Sequence, residues 1–276
     1  DCLYTCSAPG FIAQKNAYSD MLSIKAKPGI YYFDEPIRFS NLEHLSIKAD
    51  GNVIFRATKL LGTWQSEGNG IYSATAPADS DALYIANKKY RMARFPKFNP
   101  ASPIFNGFSR LATAPEKVRE WENPEGAYLH AMHLHNWGGY SYAVKGKTPD
   151  NELILEGGWQ NNQPMGMHKD FKYIENIKEE LTEAGEWYFS NKEKRAYVIP
   201  HPATRLNQEP AEAAINHCFF EFSGCASIHI EGIQFERSSR TFMETKEPLL
   251  RSDWTIFRGG AILFKQSSNC TITKCN

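Results

Sequence analysis

The chain has 276 residues, and its 31 basic and 31 acidic side chains leave no formal net charge. Because binding to a phosphate backbone needs a basic surplus, this balance argues against nucleic acid as the main partner. A hydrophobic content of 42% predicts a globular protein with a substantial core. The chain contains no run of eighteen apolar residues, so a membrane span is not expected.

A short apolar pattern recurs near both ends of the chain. Two apolar residues separated by one residue are followed, after a polar corner, by a second such pair eight residues further on. The pattern occurs at 37–47, 220–230 and 262–272, and the last two copies lie 42 residues apart. Strands with alternate residues turned inward, stacked coil upon coil, produce this repetition.

The repeat predicts a mainly β protein: a right-handed parallel β-helix (solenoid) interrupted by a mixed, mostly β insert. The expected divisions are β-helix coils over 1–59, the insert with short helices over 60–205, and resumed coils over 206–276, truncated at the C-terminus. A β-sandwich is the rival, although a sandwich is not expected to repeat one spacing at both ends. The register places Cys270 and Cys275 at inward apolar positions, as core residues rather than a disulfide.

The sequence of the middle of the chain predicts β-hairpins and two short helices. ALYIANKKYRMARFP and EWYFSNKEKRAYVIP predict two-stranded hairpins with polar turns. APEKVREWE predicts a short helix, and YIENIKEELTEAGEWYF a second one that Gly185 ends. The glutamates of this second segment are expected to form a solvated helix face.

Two glycine-flanked tryptophans suggest contact with sugars, whose apolar faces suit flat aromatic rings. Trp137 lies in NWGGY and Trp159 in GGWQNN, where Asn161 could hydrogen-bond hydroxyl groups. A buried structural role is the alternative for both rings. His133, in HAMHLHNW, is a candidate for hydrogen bonding or sugar contact. A zinc site at these histidines is not expected, because only His133 and His135 share a strand face.

The segment EPLLRSDWTIFRGG holds the candidate catalytic carboxylates. Glycosidic bond hydrolysis needs two carboxyl groups, and Glu247 and Asp253 are close enough in sequence to share one loop. Arg251 between them is a candidate for substrate binding. The alternative is that Asp253 only pairs with a nearby arginine, since ion-paired acids are commoner than catalytic ones.

Six blocks of this sequence resemble bacterial right-handed parallel β-helix proteins that act on carbohydrates, and in particular glycoside hydrolase family 141. The blocks are KAKPGIYYFDEPIRF, IANKKYRMARFPKFNP, AMHLHNWGGYSYAVKG, GGWQNNQPMGMH, ENIKEELTEAGEWYF and EPLLRSDWTIFRGGAILF. The resemblance covers the chain from about residue 25 onward, and it departs from the family over residues 1 to 22. It implies action on fucosyl or xylan linkages. Family members are longer, and it implies catalytic carboxylates in coils beyond residue 276.

The expected function is therefore that of a glycoside hydrolase, or an N-terminal fragment of one, acting on plant or host polysaccharide. A polysaccharide lyase and a non-catalytic carbohydrate-binding β-helix protein remain alternatives, because a fold does not choose among them. An oligo- or polysaccharide is the expected partner, and no cofactor is expected. Location is expected to be secreted, periplasmic or at the cell surface, although the opening DCLYTCSAPG is not a signal peptide.

Overall fold

The computed structural model describes residues 11–15, 22–158, 166–244 and 257–276 of a mainly β protein. The chain forms two compact units. The described parts of the first lie in 11–59, 214–239 and 259–276, and those of the second in 60–213, 240–244 and 257–258. Glu247, Asp253, Arg251, Trp159 and Asn161 fall outside the described residues.

The first unit consists of parallel strands, apart from one antiparallel pair. Its nine strands within the described residues are β1 (Phe11–Lys15), β2 (Leu22–Ala26), β3 (Gly29–Tyr32), β4 (Ile37–Ser40), β5 (Glu43–Arg56), β19 (Phe220–Ser223), β20 (Ala226–Glu236), β21 (Ile262–Lys265) and β22 (Thr271–Thr273). One sheet has the order β1-β2-β5-β20-β22, with β3 also paired to β5, and a second has the order β21-β19-β4. Only β1 and β2 run antiparallel.

The register predicted by the repeat is confirmed. Phe220 pairs with Ile37 on one side and with Ile262 on the other. In the larger sheet of this unit, which contains β5, β20 and β22, Ile230 pairs with Ile47 and Ile272. Because a slip of one residue would turn every inward side chain to the opposite face, the shared apolar pattern fixes this pairing.

Inward side chains of the two sheets form the core of the first unit. The rings of Phe39 and Phe264 stack on either side of Phe222, each with centroids 4.9 Å from it. Cys270 and Cys275 are free thiols, partly buried against this core. The prediction that they are core residues rather than a disulfide is confirmed.

The second unit contains two sheets, and the chain enters it through β6 (Thr58–Leu60). Its other strands among the described residues are β7 (Gln65–Gly68), β8 (Ile71–Thr75), β9 (Ala82–Ile85), β10 (Lys88–Met92), β11 (Arg94–Phe95), β12 (Tyr128–His133), β13 (Gly139–Lys147), β14 (Leu153–Gly157), β15 (Met167–Glu175), β16 (Glu186–Ser190), β17 (Arg195–Ile199) and β18 (Ala211–Ala214). The larger sheet has the order β6-β18-β9-β10-β16-β17-β8-β7. The smaller is antiparallel throughout, with the order β11-β15-β12-β13-β14.

The described residues contain little helix. They form one α-helical turn, α1 (Pro115–Val118), and two 3-10 turns, at Arg110–Thr113 and Lys178–Glu180. The short helix expected in APEKVREWE is this single turn. Among the described residues no helix is long and apolar enough to cross a membrane.

The two predicted hairpins are confirmed as β9–β10 and β16–β17, but the longer predicted helix is wrong. Its first residues complete β15, its middle forms only the second 3-10 turn, and its end is β16. Backbone pairing of β15 with β12 overrides the helical preference of the sequence. Two of its glutamates are also buried rather than solvated: Glu186 accepts from Lys97, and Glu180 from the indole of Trp121.

Candidate functional site

The connection between β12 and β13 carries a group of aromatic rings. β12 ends at His133 and β13 begins at Gly139, and the backbone N–H of His133 donates to Gly138, closing the hairpin. Asn136 adopts a left-handed conformation with a φ of 59°, which asparagine tolerates better than most residues. The turn therefore holds alternate residues of HLHNW close together.

Trp137 lies flat against His133 at this turn. The ring centroids are 4.9 Å apart and the planes differ by 9°. His133 is fully buried, whereas Trp137 is 60% exposed. The imidazole therefore supports one face of the indole, and the indole presents a broad apolar surface to solvent. His135, also exposed, lies beside it at 5.4 Å with its ring tilted by 39°.

The buried imidazole is held from two sides. The backbone N–H of His135 donates to Nδ1 of His133 at 3.0 Å, and the ring of Tyr140 packs at 5.6 Å. Burial raises the pKa of Tyr140, and it raises that of the neighbouring Tyr142 to about 12. Both phenols are therefore neutral at ordinary pH.

His168 takes no part in this ring group. Its imidazole stacks on Phe171 at 4.2 Å and accepts the backbone N–H groups of Asp170 and Phe171. No set of three His, Cys, Asp or Glu residues in the described part of the chain could hold a metal ion.

A second feature, a chain of polar side chains, lies on the same sheet. His130 pairs with Ser141 on β13 and with Tyr173 on β15, so the three side chains point to one side. Glu175, two residues beyond Tyr173, points the same way. Leu129 and Ile174 alternate with these residues and enter a buried apolar cluster on the opposite side.

The polar chain consists of five residues linked by hydrogen bonds. His130 Nδ1 lies 3.2 Å from Ser141 Oγ, and its Nε2 lies 2.9 Å from Glu175 Oε1. Arg240 donates to Glu175 through Nη1, and to Asp81 through Nε and Nη2 at 2.9 and 2.8 Å. We call Asp81, Arg240, Glu175, His130 and Ser141 the polar relay.

The charged neighbours within the polar relay determine the ionisation states of Glu175 and Arg240. Burial alone would raise the pKa of Glu175, but the hydrogen bonds and charges of His130 and Arg240 outweigh it and lower that pKa to about 2. Burial likewise opposes the charge of Arg240, yet its two carboxylate partners raise its pKa. Glu175 is therefore an ionised acceptor and cannot serve as a general acid.

Aromatic rings enclose the imidazole of the polar relay. Tyr173 stacks on His130 at 4.6 Å with planes 15° apart, and Phe242 packs against it at 5.2 Å. Phe242 also meets Tyr128 edge-on at 5.3 Å. His130 and Ser141 are both partly buried beneath these rings.

Of the residues predicted for the site, the structure brings Trp137 and His133 together. Glu244, next to the predicted catalytic segment, is exposed, and its N–H donates to the carbonyl of Thr241. Sequence reasoning missed Asp81, Glu175 and Arg240, whose contacts join positions up to 159 residues apart. Only the alternation of His130 with apolar neighbours on β12 offered a local signal.

No protein-family model matches the chain, and no functionally curated protein matches it. A solved structure titled "Glycoside hydrolase" superposes with a TM-score of 0.61 over 79% of this chain and 43% of its own length. This chain has the fold of that glycoside hydrolase. At 16% identity the likeness is one of fold, and this chain spans less than half of that protein.

A structure titled as a complex of XylC with xylose matches at a TM-score of 0.36, which is too low to carry an argument. It is 10% identical, over 78% of this chain and 30% of its own.

Proposed function

We propose that this chain belongs to a carbohydrate-active protein of the glycoside hydrolase type and that Trp137 is a binding surface for a sugar ring. The exposed indole held flat on the buried His133 carries the proposal. A rigid ring with one open face binds the apolar face of a pyranose without losing side-chain freedom on binding. The fold shared with a glycoside hydrolase supports the carbohydrate as ligand.

The neutral phenol of Tyr140, which packs against the imidazole supporting Trp137, suits a neutral sugar unit. Tyr140 and Tyr142 stay protonated, and the exposed His135 can exchange hydrogen bonds with hydroxyl groups. Polysaccharides with fucosyl or xylan linkages are the proposed substrates, as the resemblance to glycoside hydrolase family 141 implies.

We further propose that the chain winds as a right-handed parallel β-helix in coils over 1–59 and 206–276, with 60–205 as the insert. The parallel, in-register pairing of strands in the first unit supports this winding. A secreted, periplasmic or cell-surface location follows from action on polysaccharide.

The catalytic carboxylates remain a proposal. Glu247 and Asp253 are the candidates in this chain. The buried Glu175 is not a candidate for glycosidic bond cleavage: its low pKa excludes the acid role, and its burial and its bonds to Arg240 and His130 keep it from a sugar. A glycosidase needs one carboxyl group that can donate a proton and a second that can reach the sugar.

Binding measured by isothermal titration calorimetry with xylan and fucosylated oligosaccharides tests the proposed function. Trp137→Ala is expected to weaken binding about tenfold or more, since a central aromatic contact is worth 1.4 kcal/mol or more. Trp137→Phe should keep part of the affinity. Ile154→Ala is the matched control, because Ile154 is 47% exposed on the same sheet and outside the ring group. Unchanged binding by Trp137→Ala would reject Trp137 as the sugar surface.

A further inference from the structure

We propose a second activity for the second unit, hydrolysis of a carboxylic ester. Ser141 is the nucleophile, His130 the general base, and Glu175 the residue that positions the imidazole. This activity does not depend on sugar binding at Trp137. It uses a different set of side chains of the same sheet.

The hydrogen bonds of the polar relay determine where the imidazole proton lies. Ionised Glu175 can only accept a hydrogen bond, so Nε2 of His130 must carry a proton. In the neutral imidazole Nδ1 is then the acceptor, and the hydroxyl of Ser141 donates to it. In that tautomer the serine proton is directed at the base, as nucleophilic catalysis by serine requires.

Three neighbouring strands hold this arrangement. Ser141 and His130 are directly paired on β13 and β12, and Glu175 lies two residues from the cross-strand partner of His130 on β15. Stacking on Tyr173 fixes the plane of the imidazole. Residues on paired strands keep catalytic geometry better than residues on loops.

Arg240 has two effects on the polar relay. Its hydrogen bonds to Glu175 keep that carboxylate ionised, and hence the imidazole in the required tautomer. Its own charge, held by Asp81, places a permanent cation in the hydrogen-bonded group. Its two carboxylate partners, Asp81 and Glu175, balance that charge, so Arg240 acts on the imidazole by orienting Glu175.

The reaction balances with water as the only co-reactant. Ser141 Oγ bonds to the ester carbonyl carbon, and its proton passes to His130 Nδ1. The bond from that carbon to the alcohol oxygen then breaks, and the alcohol leaves with the proton from His130. Water attacks the acyl-serine, gives one proton to His130, releases the carboxylic acid and returns the proton to Ser141.

Covalent labelling of the unmodified chain tests the nucleophile directly. A fluorophosphonate probe, followed by peptide mass spectrometry, is expected to modify Ser141, and His130→Asn should lower the labelling rate by about a hundredfold or more. Ser66→Ala, which removes an exposed serine of β7, should label as the unmodified chain does. A folded, unmodified chain in which Ser141 stays unlabelled would overturn the proposal.

Hydrolysis of 4-nitrophenyl acetate provides a second readout. Ser141→Ala should lose about a hundredfold or more in rate while its melting temperature stays close to that of the unmodified chain. Glu175→Gln tests the positioning role, because an amide can donate to Nε2 and favour the wrong tautomer; Glu175→Asp should restore part of the rate. Full hydrolysis by folded Ser141→Ala would show that other nucleophiles act and would reject the assignment.

Discussion

The imidazole of His133 and the indole of Trp137 form a parallel stack, with centroids 4.9 Å apart and planes within 9°. One ring is fully buried and the other is 60% exposed. The buried member determines the direction of the exposed one, because it occupies the space into which the indole would otherwise turn. We therefore expect His133 to contribute to carbohydrate binding at Trp137 without touching the ligand.

Replacing His133 by Ala is expected to weaken carbohydrate binding several-fold and to make Trp137 more mobile. The indole loses its support, so binding must then restrict a free side chain, at about 0.5–1.5 kcal/mol. Mobility of the indole is measured by the steady-state anisotropy of tryptophan fluorescence. The anisotropy of His133→Ala should be lower than that of the double variant His133→Ala/Trp137→Phe, which lacks the signal of the mobile indole. His133→Phe should recover part of the affinity.

His135→Ala is the control for that substitution. The bond from residue 135 to His133 Nδ1 comes from the backbone, so the variant keeps it. Its loss of affinity should be smaller than that of His133→Ala. A His133→Ala protein with unchanged affinity would show that the stack does not position Trp137.

Acid is expected to destabilise the chain through Glu175. Its pKa falls from an ordinary value near 4.5 to about 2 in the folded state. A depressed carboxylate pKa stabilises the fold above the unfolded value, and the stabilisation is lost as pH falls through 4.5 towards 2. Its size is on the order of 3 kcal/mol.

Urea unfolding at pH 7 and pH 3 measures this contribution. Glu175→Gln should be less stable at pH 7, and its stability should fall less on acidification than that of the unmodified chain. The exposed Glu116→Gln, in α1, should follow the unmodified chain at both pH values. Equal pH dependence of Glu175→Gln and the unmodified chain would contradict the electrostatic role of Glu175.

Phe222→Ala should reduce the free energy of unfolding by about 3–5 kcal/mol, because the cavity cannot close between two stacked rings. Phe222 is fully buried between Phe39 and Phe264. Its neighbour Glu221 points to solvent and pairs with Arg38, so Glu221→Ala should cost about 1 kcal/mol or less. Chemical denaturation of both variants tests whether Phe222 points inward and Glu221 outward on β19. Similar losses of unfolding free energy in the two variants would refute this assignment.

Asn176→Ala should cost on the order of 3 kcal/mol. The buried side-chain amide donates to the carbonyls of Gly126 and Phe189 and accepts the N–H of Phe189. Its removal leaves buried backbone groups without these partners, each at about 1–3 kcal/mol. Asn191→Ala, in the exposed turn between β16 and β17, is the control and should change the melting temperature little. A comparable loss in both variants would argue against this role of Asn176.

The strand register could be predicted from the sequence because it depends on a short apolar spacing. Ile37, Phe220 and Ile262 repeat one pattern, and stacking of identical strands preserves it. The segment around Glu180 misled the prediction, since a helix-favouring composition forms only one turn where neighbouring strands require extended chain. Pairing with β12 is a long-range interaction that local propensity cannot report.

The residues of the candidate site also fall into a group that the sequence indicated and a group that it did not. Trp137 and His133 lie in one hairpin, so residue types in a short stretch indicated both. Glu175 and Arg240 lie 65 residues apart and meet only after the chain has folded. Nothing near either residue distinguishes it from an ordinary surface charge, which is why the polar relay could not be predicted.

The most direct test is a crystal structure of the chain with the oligosaccharide that binds it most tightly. A sugar ring lying parallel to the indole of Trp137, on the face opposite His133, is the predicted result. A sugar ordered elsewhere on the chain, with the indole uncovered, would contradict the proposed function.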